Sequence, residues 1–211
     1  RTSSNYVLIN ITGLAASPND VQVVLLETTE NTFYGKVGNA TVNTTVHITV
    51  NVTDIYNNLV PNALVSFAVQ PTSITPYGSF DADNGYTNSS GLFKINYTMS
   101  TKTGLNYLRV NVSQSIEEFI SITGTPDIPY NLNLETSNGS QTVADTYSIT
   151  VNVTDVFGNA IYSKYPNQRI NFSVYSDPSG YGYFGSPGVR YYNNTIDLFV
   201  MLSFMSDNIK V

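Results

Sequence analysis

The stretch ITVNVTD, Ile48 to Asp54, returns letter for letter at Ile149 to Asp155, an offset of 101 residues. In an extended chain Ile48, Val50 and Val52 share one face, and Asn51 and Thr53 take the other. β-Branched residues in alternation, closed by Asp and a polar turn, predict a half-buried strand. An exact repeat of it predicts two copies of one domain.

Matches on either side extend the repeat. SFAV (Ser66 to Val69) resembles NFSV (Asn171 to Val174), GSF (Gly78 to Phe80) resembles GYF (Gly182 to Phe184), and LET occurs at Leu26 to Thr28 and Leu134 to Thr136. Further alternating runs cover Ala63 to Val69, Phe93 to Met99, Tyr107 to Ser113 and Arg169 to Val174, with no amphipathic helical pattern between them. Short strands at this spacing predict an all-β chain of sandwiches. The stretch Thr125-Pro126-Asp127-Ile128-Pro129 suits a stiff connector. The expected division is residues 1–13 as a separate strand, 14–124 as the first domain and 125–211 as the second.

Charged residues make up 11% of the chain and the net charge is −6, so a Lys/Arg surface for nucleic acid is not available. Polarity comes instead from 25 Asn, 24 Thr and 22 Ser, which keep a surface hydrated where charge is unreliable, as in acid or high salt. Without Cys, disulfides cannot report the compartment. No apolar run is long enough to insert in a membrane, and the first residues lack a signal-peptide pattern, so an exported protein is expected here in its mature form.

A strand ending V-x-V-T-D, a polar turn, a V-x-F-x-V strand and the turn Thr87-Asn88-Ser89-Ser90-Gly91 together resemble the bacterial immunoglobulin-like repeats of invasin and intimin type. Modules of archaeal surface proteins are similar. The resemblance implies tandem immunoglobulin-like Greek-key sandwiches, an extracellular, cell-surface location, and use as spacer, adhesin stalk or filament unit. It carries no catalytic residues and no cofactor. Low charge, abundant Asn and Tyr and absent Cys look like an archaeal surface protein, of a heat- and acid-tolerant source.

The second copy is expected to lack its final strand. With Lys210-Val211 set over Arg109-Val110, the first copy continues through Asn111 to Gly124, including EEFISITG at Glu117 to Gly124. The counterpart stands at the other end: YVLINITG, Tyr6 to Gly13, matches it at an offset of 111. This arrangement predicts donor-strand complementation, in which the N-terminal strand of one subunit adds to the open edge of the second domain of the next. Val7, Ile9 and Ile11 would enter that core at roughly 1.5–3 kcal/mol each, beside an acceptor groove lined by Ile209 and Val211. Donor and acceptor are different surfaces, so identical subunits would join head to tail into a homopolymer. The connector Leu14 to Asp20 reaches at most about 25 Å, which allows donation in cis only if the domains fold back on each other. The alternative is an N-terminal strand that merely lengthens the first domain, with the second domain truncated at its C-terminus.

Eleven Asn-x-Ser/Thr sequons mark expected N-linked glycans: Asn10, Asn39, Asn43, Asn51, Asn88, Asn96, Asn111, Asn138, Asn152, Asn171 and Asn193. Composition alone predicts about 5.5. Asn51, Asn96, Asn111, Asn152 and Asn171 each lie between two apolar residues, the outward phase of a strand. His47 is the only histidine, and Asp81-Ala82-Asp83-Asn84-Gly85 lacks the later Glu of a calcium loop, so neither predicts a metal site or an acyl-transfer triad. Adjacent Glu117 and Glu118 face opposite sides of a strand, unsuited to paired acid catalysis. The aromatic residues Tyr181, Tyr183, Phe184, Tyr191 and Tyr192 are read as packing of the second sandwich. The expected function is a glycosylated filament subunit rather than an enzyme, the alternative being a monomeric tandem adhesin or stalk module binding a surface or carbohydrate.

Overall fold

The computed structural model describes residues 12–134, 146–161, 169–171, 183–184, 189–191 and 195–201, all strand, turn or loop. The first domain contains β1 (Asp20–Glu27), β2 (Thr32–Tyr34), β3 (Val37–Thr41), β4 (Thr45–Thr53), β5 (Leu64–Val69), β6 (Ser79–Phe80), β7 (Asn84–Tyr86), β8 (Leu92–Thr98), β9 (Gly104–Ser113) and β10 (Ile116–Thr125). Two five-stranded sheets, ordered β2-β1-β4-β8-β6 and β3-β10-β9-β5-β7, face each other. The core is the set of inward residues that alternation selects: Val46, Ile48, Val50 and Val52 from β4, Ile95 and Tyr97 from β8, Leu108 and Val110 from β9, Ile120 and Ile122 from β10.

The repeated GSF has a packing reason. Phe80 lies 4.9 Å from Tyr97 and 5.4 Å from Phe67, tilted against both rings. A Cβ at Gly78 would collide with the Thr98 carbonyl and the Tyr97 hydroxyl, so this edge strand can close on β8 only with glycine there. Burial pushes the Tyr97 hydroxyl up to about 12, while a hydrogen bond from the Gly78 backbone draws it down. That hydroxyl donates to Asn106 Oδ1 at 2.9 Å.

The second domain repeats the layout with β11 (Asn131–Leu134), β12 (Thr146–Thr154), β13 (Arg169–Asn171), β14 (Tyr183–Phe184), β15 (Val189–Tyr191) and β16 (Thr195–Met201). Sheet β11-β12-β16-β14 reproduces the order β1-β4-β8-β6, and β13-β15 reproduces β5-β7. Register gives the offsets. Tyr147 pairs with Val200 as Val46 pairs with Tyr97, so β12 follows β4 by 101 and β16 follows β8 by 103.

One expectation changes. The final strand is not an edge strand: β10 runs parallel to β3 and antiparallel to β9, with a neighbour on each side. A strand donated in its place would therefore enter between two others instead of adding to an open edge.

Candidate functional site

The connectors into the two domains are built alike. In the first, the Asn19 amide donates to the Thr53 carbonyl at 2.8 Å, and the Ala16 amide to Asp54 Oδ2 at 2.9 Å. In the second, Tyr130 donates to Thr154 at 2.9 Å, and Asp127 to Asp155 Oδ2 at 3.1 Å. Pairing continues in step, with Asp20 opposite Thr53 and Asn131 opposite Thr154. Residues 16–23 thus stand to the first domain as 127–134 stand to the second, at the same offset of 111 that relates Tyr6–Gly13 to Glu117–Gly124.

The carboxylate closing each repeated heptapeptide organises this end of its domain. Asp54, 1% exposed, accepts from the Tyr56 and Asn58 amides through Oδ1, and from Asn58 Nδ2 and Ala16 through Oδ2. Burial pushes its pKa up, and the hydrogen bonds from Ala16, Asn58 and Tyr56 more than offset this, leaving it lowered from 3.8 to about 2. A carboxylate whose folded pKa lies below its unfolded value stabilises the fold above the unfolded pKa and loses that contribution as pH falls through the folded one. The first domain should therefore keep this contribution at pH 4 and lose it towards pH 2. Thermal unfolding of Asp54→Asn, followed over the same range, should show a shallower acid slope than the unsubstituted chain.

In β10, Ile120 and Ile122 are buried and Gly124 lies inward with them. Sequence counterparts at offset 111 are Ile9, Ile11 and Gly13, with Val7 over Glu118. Val7, Ile9, Ile11, Ile209 and Val211 themselves lie outside the described residues, as do Asn10, Asn138 and Asn193 and the side chains of Asn171 and of Tyr181, Tyr183, Phe184, Tyr191 and Tyr192.

Among the remaining sequons, Asn39, Asn43, Asn88 and Asn96 are exposed, while Asn51, Asn111 and Asn152 are half-buried on outward strand faces. Asn88 caps its turn, its Oδ1 accepting from the Ser90 and Leu92 amides, and its Nδ2 has no partner among the described residues. Asn96 Nδ2 donates to Asp81 Oδ2 at 2.8 Å, and a glycan there would leave a single N–H for that bond. His47 stands beside Asn96 on the exposed face, and Asp81 is occupied by Asn96. Glu117 faces Arg109 and Glu118 faces Lys36. Among the described residues no cluster of three metal-ligating side chains occurs, and no helix is long and apolar enough to cross a membrane.

The joint between the domains is a site that alternation alone does not reveal. The Asp155 turn receives the loop that connects β8 and β9: Asn159 Nδ2 donates to the Thr101 carbonyl at 2.9 Å, the Thr103 amide to Asn159 Oδ1 at 3.1 Å, and Lys102 Nζ to the Phe157 carbonyl at 2.6 Å. The signal for it in the sequence is the shared D-x-x-[NG]-N of Asp54–Asn58 and Asp155–Asn159.

No family model and no curated protein matches the chain. Solved structures do resemble it. The adhesin FdeC of Escherichia coli is similar at 17% identity and a TM-score of 0.49 over 90% of this chain and 58% of that one. The D0-D1 domain of intimin aligns at 15% identity and 0.36, covering 87% and 86%. Surface layer protein SbsC, domains 4-9, aligns at 11% and 0.38, covering 91% and 28%. The likeness to invasin- and intimin-type proteins expected from the sequence is present, and the chain spans 58% of the FdeC structure. The fold assignment rests on strand order and register.

Proposed function

We propose that the chain is a structural subunit of a glycosylated extracellular filament, polymerised head to tail by donor-strand complementation. The observation that carries this reading is the constant offset of 111. The connector into the first domain matches, bond for bond, the connector that leaves β10 and enters the second. Sequence ahead of the first connector continues the match over β10 itself, with Ile9 and Ile11 in the phase of the buried Ile120 and Ile122. Residues 6–13 have the pattern of the last strand of a sandwich that precedes the first domain. The second domain of a neighbouring copy is the sandwich we assign to it, because its sheet β11-β12-β16-β14 repeats the order β1-β4-β8-β6 of the first domain, whose own last strand is β10.

The donated strand would contribute ladder hydrogen bonds to two neighbours and bury about 1.5–3 kcal/mol of side chain at each of Val7, Ile9 and Ile11. Exposed Asn39, Asn43, Asn88 and Asn96 would carry glycans that hydrate a surface poor in charge. Head-to-tail joining makes the contact heterologous and open-ended, which suits a thread.

Size exclusion and electron microscopy of the chain with and without Arg1–Gly13 test this. Deletion removes the donor but leaves Ala16 and its bond to Asp54, so the first domain should unfold as before while filaments vanish. Filaments that survive the deletion sink the proposal, and a chain that stays monomeric with the segment present sinks it in favour of the monomeric tandem adhesin or stalk module. Glycopeptide masses from native material form a second arm, and unmodified peptides at all four exposed sequons would remove the glycan coat.

A further inference from the structure

We propose that the turn Ile55–Leu59 on the first domain is a docking surface for the second domain of another copy, gripped through Asn58. The inference rests on the filament reading and adds a second contact to it. In the second domain the equivalent turn is covered: Asn159, 5% exposed, reads both a carbonyl and an amide of the Thr101–Thr103 loop. The turn in the first domain is built identically. Asp54 holds the Tyr56 and Asn58 amides and Asn58 Nδ2, as Asp155 holds those of Phe157 and Asn159. Asn57 has φ 62° where Gly158 has 78°, so both turns pass through the left-handed region at the same step.

What differs is the cover. Tyr56 is 76% exposed and Ile55 67%, and Asn58 Oδ1 has no partner among the described residues. The Tyr56 carbonyl stands where Phe157 receives Lys102.

The occupant follows from continuity with the joint already present. At that joint the body lying on Asn159 is the sandwich whose last strand runs directly into the connector bonded to Asp155. The connector bonded to Asp54 is preceded by the segment that matches this last strand. Whichever sandwich takes up Tyr6–Gly13 is thereby brought over Asn58 as the first domain lies over Asn159. In the filament that sandwich is the second domain of the neighbouring copy. The grip is made by an amide reading backbone groups, so it does not depend on which side chains the partner's loop carries. Successive domains would then repeat one joint, within and between subunits.

Photo-cross-linking tests the contact with the full chain under assembling conditions. Tyr56→benzoylphenylalanine, at an exposed position, should give cross-linked dimers whose second peptide comes from residues 125–211 of another copy. The same group at Phe157 should cross-link within the chain, to the loop at 101–103. Filaments that form but cross-link from position 56 only within their own chain, to the first domain of another copy, or to a different protein overturn the inference and leave the filament reading standing. Assembly that persists without Arg1–Gly13 overturns the filament reading, and the inference with it. Asn58→Ala should leave donor-strand assembly in place but weaken it roughly tenfold, the loss of two hydrogen bonds. Unchanged assembly strength in that variant overturns the role of Asn58.

Discussion

Ile120→Ala should lower the stability of the first domain by about 2–5 kcal/mol, read as a fall in the denaturant midpoint at unchanged slope. Ile120 is fully buried, on a strand flanked by β3 on one side and β9 on the other. Neither neighbour can close on the vacated space without breaking its own ladder, so the cavity persists, and this puts the cost well above simple transfer. The informative comparison is Ile9→Ala, its counterpart 111 residues earlier. Under donor-strand exchange Ile9 serves another copy, so its loss should leave the first domain's midpoint unmoved and reduce assembly. A fall in that midpoint comparable to that of Ile120→Ala would mean that the N-terminal segment packs into its own first domain, which excludes donation in trans.

Asp155→Ala should destabilise the second domain by about 3 kcal/mol or more and also release the joint. Its carboxylate, 0% exposed, accepts from the amides of Phe157, Asn159 and Asp127 and from Asn159 Nδ2. Removing the acceptor leaves these donors unsatisfied away from water. Asn159 then loses the bond that aims it at Thr101 and Thr103. Amide hydrogen exchange should accelerate at Asp127, Phe157, Asn159 and Thr103 together. Equal exchange at Thr103 in the variant and the parent would show that the turn does not hold the joint. Asp54→Ala breaks the matching turn, so in the isolated chain its effect should stay within the first domain.

Strands with clean alternation were legible in the sequence. β4, β5, β8, β9 and β12 fall where Val, Ile and aromatic residues alternate with polar ones, because one face packs and the other meets solvent. β1 is harder to read. A bulge between Val23 and Leu25 turns Val24 outward and resets the phase, so Val21, Val23 and Leu26 are inward without a constant period. β3, Val-Gly-Asn-Ala-Thr, has no alternation at all; it is fixed by parallel pairing to β10, a partner more than 70 residues away. The same long-range pairing explains why the last strand looks like an edge from sequence and lies inside the sheet in the fold. Asp54 and Asp155 each stand at a strand end, where a turn carboxylate is ordinary. Only tertiary structure shows that one of the two turns also carries a neighbouring domain.

The place of β10 has a mechanical consequence. It enters its sheet at the end where Asp54 lies and leaves at the end that carries Thr101–Thr103, running straight on into the connector. Tension along a thread of such domains would pull β10 lengthwise. Five residue pairs with β3 and nine with β9 would then be loaded in shear, all at once, rather than peeled apart singly from one end. A strand held in that way yields only when its whole ladder fails together, so the geometry that joins one domain to the next would also set the force such a thread could bear.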